Sequence, residues 1–94
     1  MALRSFHFRV SGKVQGVFYR QTTADTAASL GLVGYVFNSS AGDVEGVAQG
    51  QLNALKEFKQ FLFKGPRLAR VKDVAFSDER ELEQAEYQKF EVRR

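Results

Sequence analysis

The sequence predicts an α+β fold: an antiparallel sheet with two helices on one face and a short extra C-terminal strand. Two observations carry this. Several short stretches alternate apolar and polar residues, as half-buried strands do. Between them lie two stretches in which apolar or small residues recur at helical spacing. The length, 94 residues with no repeat and no linker, fits one domain spanning residues 1–94.

Each element has its own signal. In residues 5–11, Phe6, Phe8 and Val10 fall on one face and His7 and Arg9 on the other, a half-buried strand. Residues 12–16 hold two glycines and read as a loop. Residues 19–30 predict a helix with a thin stripe of Ala24, Ala27, Ala28 and Leu30, and Gly31 stands where a C-terminal cap glycine belongs. Residues 34–38 form a strand, 38–43 a turn and 44–49 the returning strand. Residues 51–64 are the strongest helix, with an apolar face of Leu52, Leu55, Phe58, Phe61 and Leu62. Lys64 suits its C-terminal dipole and Gly65-Pro66 stops it. Residues 68–77 are extended, the acidic stretch 78–86 reads as a connection, and 87–93 close the chain with Phe90 and Val92 on one face. This order is the split β-α-β, or ferredoxin-like, arrangement. That fold hosts enzymes, RNA binders and sensing modules, so it does not select a function.

Composition removes several classes. Apolar residues make up 44% and charged residues 27%, a globular balance that argues against disorder. The nine Phe and three Tyr provide much of the core volume. With no Cys, disulfides and thiolate-bound metals are excluded, and one His excludes a His-rich metal site. No run approaches the ~18 apolar residues of a membrane span. The first residues lack the apolar core of a signal peptide, so the expected location is cytoplasmic. A net charge of +3 is too small to indicate nucleic-acid binding. Its distribution says more. Residues 1–24 contain Arg4, Arg9, Lys13 and Arg20 and no acid, which suits a small anion.

Residues 12–20, Gly-Lys-Val-Gln-Gly-Val-Phe-Tyr-Arg, join the first strand to the first helix. Glycines there let successive N–H groups point inward as an anion nest. The helix start adds unpaired N–H groups and partial positive charge. Arg20, in the first turn, offers a planar fork to two oxyanion oxygens. The common nucleotide loop is absent, because Val17 follows Gly16 where Lys would be required. Glycine spacing alone favours a tight turn beside a surface Arg over an anion cradle.

Two longer motifs are more specific. Val10-x-Gly12-x-Val14-Gln15-Gly16-Val17-x-Tyr19-Arg20 resembles the first signature of the acylphosphatase family at every defined position. Gly34-Tyr35-Val36-x-Asn38-x-x-x-Gly42-x-Val44, followed by Gly50, resembles the second. It departs once, at Phe37, where the family usually has a basic, Gln or small apolar residue. Gly65-Pro66, Ala69 and Val71 also follow the family's pattern, and the resemblance covers essentially the whole chain.

The resemblance implies hydrolysis of acyl phosphates, mixed carboxylic–phosphoric anhydrides, to carboxylate and phosphate. It implies Arg20 and Asn38 as the catalytic pair, Arg20 on the phosphate and Asn38 on the attacking water. Gln15, Gly16, Val17, Phe18 and Tyr19 become the substrate-binding residues, and no metal or organic cofactor is implied. The chemistry agrees. The substrate is already activated, so positioning and charge stabilisation do most of the work. A strong protein base is less necessary, since the substrate's phosphate can take the water's proton. His7, mid-strand opposite Phe6 and Phe8, is then a solvated sheet residue. Asn38 also opens a turn by composition, and Ser39 or Ser40 is placed to orient it. Of Val17, Phe18 and Tyr19, one is expected to seal the loop and another to line an apolar rim for the acyl group. The expected partner is a small acyl phosphate, with no nucleic acid and no membrane, and the expected state is a monomer. A non-catalytic anion-binding module on the same fold is the alternative. RNA binding lacks its basic-Gly-aromatic run.

Overall fold

The computed structural model describes residues 3–16 and 18–93. The elements are β1 (Leu3–Lys13), α1 (Tyr19–Ser29), β2 (Val33–Asn38), β3 (Val44–Gly50), α2 (Leu52–Lys64), β4 (Arg70–Leu82) and β5 (Phe90–Val92). The strands form one sheet in the order β4-β1-β3-β2-β5. This is the ferredoxin-like α+β fold. Its first four strands pair antiparallel, and β5 joins parallel to β2 with Gly34 opposite Phe90 and Val36 opposite Val92. The parallel pairing makes the sheet mixed rather than wholly antiparallel. Its cause is geometric: β4 ends at the end of the sheet where β2 begins, so a strand entered from there runs alongside β2.

The core lies between the sheet and the two helices. Phe6, Phe8 and Val10 of β1 point into it, as their alternation predicts, with Val36, Val44 and Ala48 from the next strands. Leu55, Phe58 and Leu62 of α2 close it, and the Phe58 ring meets the Phe8 ring edge-on at 5.5 Å. Leu52, expected on that face, lies 48% exposed in the first turn. On α1 the buried line is Tyr19, Thr23, Ala24 and Ala27. Ala28 is exposed instead. One further residue around the helix carries it past the thin stripe.

β4 is longer than the sequence suggests. Residues 78–82, read as part of an acidic connection, continue the strand. The β1 pairing shifts register between Ser5 and His7, and Asp78 there takes a left-handed φ of 54°. The strand then resumes with Arg80 opposite Ser5 and Leu82 opposite Leu3. The acids therefore mark a solvated edge strand, which charges protect from further pairing. The true connection, 83–89, crosses the face of the sheet away from the helices. Gln49 holds it there: its Nε2 donates to Glu86 Oε1 at 2.8 Å and its Oε1 accepts from the Glu86 N–H at 2.8 Å. Arg80 donates to the same carboxylate at 2.6 Å.

β2 and β3 approach closely. A Cβ on Gly34, whose φ is 139°, would lie 2.0 Å from the Val47 carbonyl oxygen. No rotamer change relieves a contact with main chain. Gly34→Ala is therefore expected to cost roughly 2–4 kcal/mol, through overpacking and backbone strain. Urea denaturation monitored by circular dichroism measures it. A wild-type midpoint would contradict the close approach.

Candidate active site

The candidate site lies where β1 hands over to α1, beside the end of β2. The two glycines that the sequence groups in one loop do different things. Gly12, with Lys13, belongs to β1. Its φ is 124° and a Cβ there would lie 2.2 Å from the Arg70 carbonyl oxygen, so it serves the β1–β4 approach. Gly16 serves the loop, with a φ of 72° and open space around it. Val14 is buried beneath the loop.

Phe18 caps the start of α1 in a left-handed conformation, φ 61° and ψ 21°, with no side-chain hydrogen bond to the helix. Its carbonyl accepts the N–H of Thr22 at 3.0 Å. The N–H groups of the first turn have no partner inside a helix. No acid stands in that turn. Among the described residues, the N–H groups of Gln15, Gly16 and Phe18 also make no bond to another main-chain oxygen. Unpartnered donors at a helix start are of the kind that suit an anion. Tyr19 seals this end: its ring is buried and its hydroxyl donates to the Leu62 carbonyl at 2.6 Å. Burial pushes that phenol above its ordinary pKa, so it remains a neutral donor. Phe18 lies on the surface, 78% exposed. Val17 lies outside the described residues.

Arg20 is half-buried in the first turn, and its Nη1 donates to the Arg93 carbonyl at 3.4 Å. Asn38 ends β2 on the helix side of the sheet, in line with Gly34 and Val36. Its Oδ1 is buried and has no hydrogen-bond partner among the described residues. The serines do not orient it. Ser39 bonds instead to Asp43: its N–H donates to the Asp43 carbonyl at 2.8 Å, and its hydroxyl accepts the Asp43 N–H at 3.2 Å. Ser40 is exposed. The Asp43 carboxylate accepts from Arg9 Nε at 2.6 Å, which raises the Arg9 pKa.

A cleft of about 260 Å³ gathers Gln15, Gly16, Phe18, Tyr19, Arg20 and Asn38, with Val14, Gln21 and Val92 completing its wall. Arg20 carries the only formal charge among these lining residues. Sequence reasoning missed Val92 and the Arg93 carbonyl. Their alternation signals a strand, and only its place beside β2 brings them to the cleft. Two other residues are settled by position. Phe37 stacks on Tyr35 on the face away from the helices, with ring centroids 6.1 Å apart. His7 is on that face too, with Nε2 3.5 Å from Glu45 and Nδ1 3.4 Å from the Ser77 hydroxyl. Neither lines the cleft.

The comparisons agree with the fold and with the signatures. The acylphosphatase family model matches residues 6–92. The chain is 41% identical to Acylphosphatase-1 of Gallus gallus, over 98% of this chain and 94% of that protein. It is 42% identical to an acylphosphatase of Vibrio vulnificus, over 98% of this chain and 99% of that one. The solved structure of an acylphosphatase from Coxiella burnetii aligns with a TM-score of 0.87 at 40% identity, covering 97% of this chain and 93% of that one. A nearly full-length match in sequence and fold, with both signature segments meeting at one cleft, makes this chain a member of the acylphosphatase family.

Proposed function

We propose that this chain, an acylphosphatase, hydrolyses acyl phosphates in the cleft between the 15–20 loop and Asn38. The observation that supports this best is the convergence of Arg20 and Asn38, from separate elements, on one wall-to-wall cleft at a free helix start. In this reading the phosphate sits against the N–H groups of the loop and of the first turn of α1. Arg20 gives its guanidinium fork to two equatorial oxygens. These donors face the positions where charge is spread in the transition state and need no rearrangement during reaction.

Asn38 holds the water. Its neutral amide presents a donor and an acceptor together, so it can fix the oxygen lone pair toward phosphorus. A buried acceptor without a partner costs about 1–3 kcal/mol. A water bound at the amide supplies that partner. As the P–O bond to the acyl group breaks, the carboxylate leaves with the bonding pair. The water's proton passes to a phosphate oxygen. Gln15, Gly16, Phe18 and Tyr19 form the substrate's surroundings, with Phe18 at the rim where the acyl group emerges. Val17 belongs to the same set by sequence.

The same reading takes residues 1–94 as one acylphosphatase-like domain that acts as a cytoplasmic monomer. No described helix is long and apolar enough to cross a membrane. The edge strand β4 carries Arg70, Lys72, Asp73, Glu79, Arg80 and Glu81, which disfavour strand addition. Relatives that are acylphosphatases over nearly their full length favour turnover over non-catalytic anion binding.

Four outcomes are expected. Arg20→Ala weakens inhibition by inorganic phosphate and nearly abolishes turnover. Asn38→Ala lowers kcat about a hundred- to a thousand-fold with a small change in KM. Phosphate release from an aryl acyl phosphate, with chelator present, measures both, and near wild-type rates in both would sink the assignment. Gly16→Ala folds, since its Cβ meets open space, but loses about 1–2 kcal/mol through its left-handed φ and binds phosphate less tightly. Full activity with an unchanged melting temperature would show that the loop does not need that geometry. In size-exclusion chromatography with light scattering the chain elutes at monomer mass; a dimer at micromolar concentration would remove that part of the reading.

A further inference from the structure

We infer that the Gln15 side chain is a positioning residue for Asn38 and makes no contact with the substrate phosphate. The inference rests on the proposed roles of Arg20 and Asn38 and concerns how the two halves of the site are held in register.

The Gln15 side chain lines the cleft but its amide is held by the turn after Asn38. Its Nε2 donates to the Asp43 carbonyl at 3.1 Å and to the Ser39 carbonyl at 3.4 Å. Two carbonyl acceptors fix which end of the amide faces them, since only the NH₂ end can donate. Both of its protons are then used. The remaining polar atom, Oε1, is an acceptor and repels a phosphate. Gln15 can hold a phosphate through its backbone N–H, but through its side chain only by releasing the turn.

The turn it grips begins directly after Asn38. Residues 39–43 are closed upon themselves: the Ser39 N–H and Asp43 carbonyl bond at 2.8 Å, and the Gly42 N–H donates to the Ser39 carbonyl at 3.2 Å. The Asp43 carbonyl, with bonds from Ser39 and Gln15, uses both lone pairs. Arg9 grips the Asp43 carboxylate from β1 at 2.6 Å, so the turn is one rigid piece tied to the strand that feeds the loop. Among the described residues, Gln15 supplies the only side-chain hydrogen bonds between residues 14–18 and this turn. The cradle and Asn38 come from different elements, and this amide sets the distance between them. In a reaction governed by positioning, a misplacement of ~1 Å can cost on the order of a hundred-fold.

The test uses Gln15→Met, which keeps the length and loses the donors. Turnover of an aryl acyl phosphate and inhibition by inorganic phosphate are measured in Gln15→Met, Asn38→Ala and the double variant. Expected are a fall in kcat of about ten- to a hundred-fold in Gln15→Met and a phosphate inhibition constant within about two-fold of wild type. In the Asn38→Ala background the same substitution should change kcat by less than about two-fold, because there is no amide left to position. Three results would overturn the inference: an unchanged kcat in Gln15→Met, phosphate binding that weakens in step with kcat, or a full loss that persists without Asn38. Failure of Gln15→Met to fold would also overturn it, since an exposed side chain would then be structural. Near wild-type turnover in Asn38→Ala would instead strike the catalytic reading itself.

Discussion

The site depends on where α1 begins, and one buried hydrogen bond fixes that point. Tyr19 is the first residue of α1, and its hydroxyl reaches the Leu62 carbonyl in the last turn of α2 at 2.6 Å. Its ring fills the space between the helices so completely that a Cβ on Gly65 would lie 2.7 Å from it. Gly65 is thus both the stop for α2 and the room for Tyr19. With the ring anchored inside, the residues on either side of it are committed: Phe18 is forced outward in a left-handed conformation and Arg20 turns toward the cleft. A first turn without a polar side-chain cap keeps its N–H groups for an anion. The helix gives up a cap bond typically worth about 1 kcal/mol, and on the proposed reading those N–H groups meet the phosphate.

The sheet completes the site from its other end. β4 and β5 lie on opposite edges, so the chain must cross the open face between them. It is held there by Gln49 against Glu86 and by Tyr87 edge-on to Tyr35, with centroids 5.6 Å apart. The crossing delivers Val92 to the cleft wall and the Arg93 carbonyl to Arg20. Arg93 is itself clamped, its N–H on the Val36 carbonyl at 2.8 Å and its guanidinium 3.9 Å over the Tyr35 ring. The last strand, only Phe90–Val92, therefore acts on the site more than its length suggests.

What was legible in the sequence follows from what periodicity encodes. Alternation at Phe6, Phe8 and Val10 and helical spacing at Leu55, Phe58 and Leu62 report burial, and these residues form the core. Arg20 and Asn38 were legible through motifs and meet in one cleft. Edges were not legible. An exposed edge strand buries little, so residues 78–82 show the acidity of a surface and none of the alternation of a strand. Nor does local pattern state direction, which is why the parallel pairing of β5 could not be read. Gly12 and Gly16 look alike in sequence, yet one allows a main-chain approach and the other a free loop. The bonds from Gln15 span 24 and 28 residues, so no local spacing could reveal where its amide points.

The charge pattern shows the same division between what composition suggests and what geometry uses. The acid-free first 24 residues suggest a broad positive field. Folding pairs half of its four cations with acids. Arg9 is spent on Asp43 at 2.6 Å and Arg4 on Glu81 at 3.5 Å, both acids from distant parts of the chain. Arg20 meets a carbonyl instead of a carboxylate. A carbonyl orients a guanidinium without cancelling its charge, and among the described residues no acid lies in the cleft to offset it. Coulomb attraction falls with distance and is screened beyond about 8–10 Å in physiological salt. One uncompensated charge inside the cleft therefore acts on a bound phosphate more strongly than several compensated ones outside it. On the proposed reading anion recognition is local, and a net charge of only +3 suffices for it.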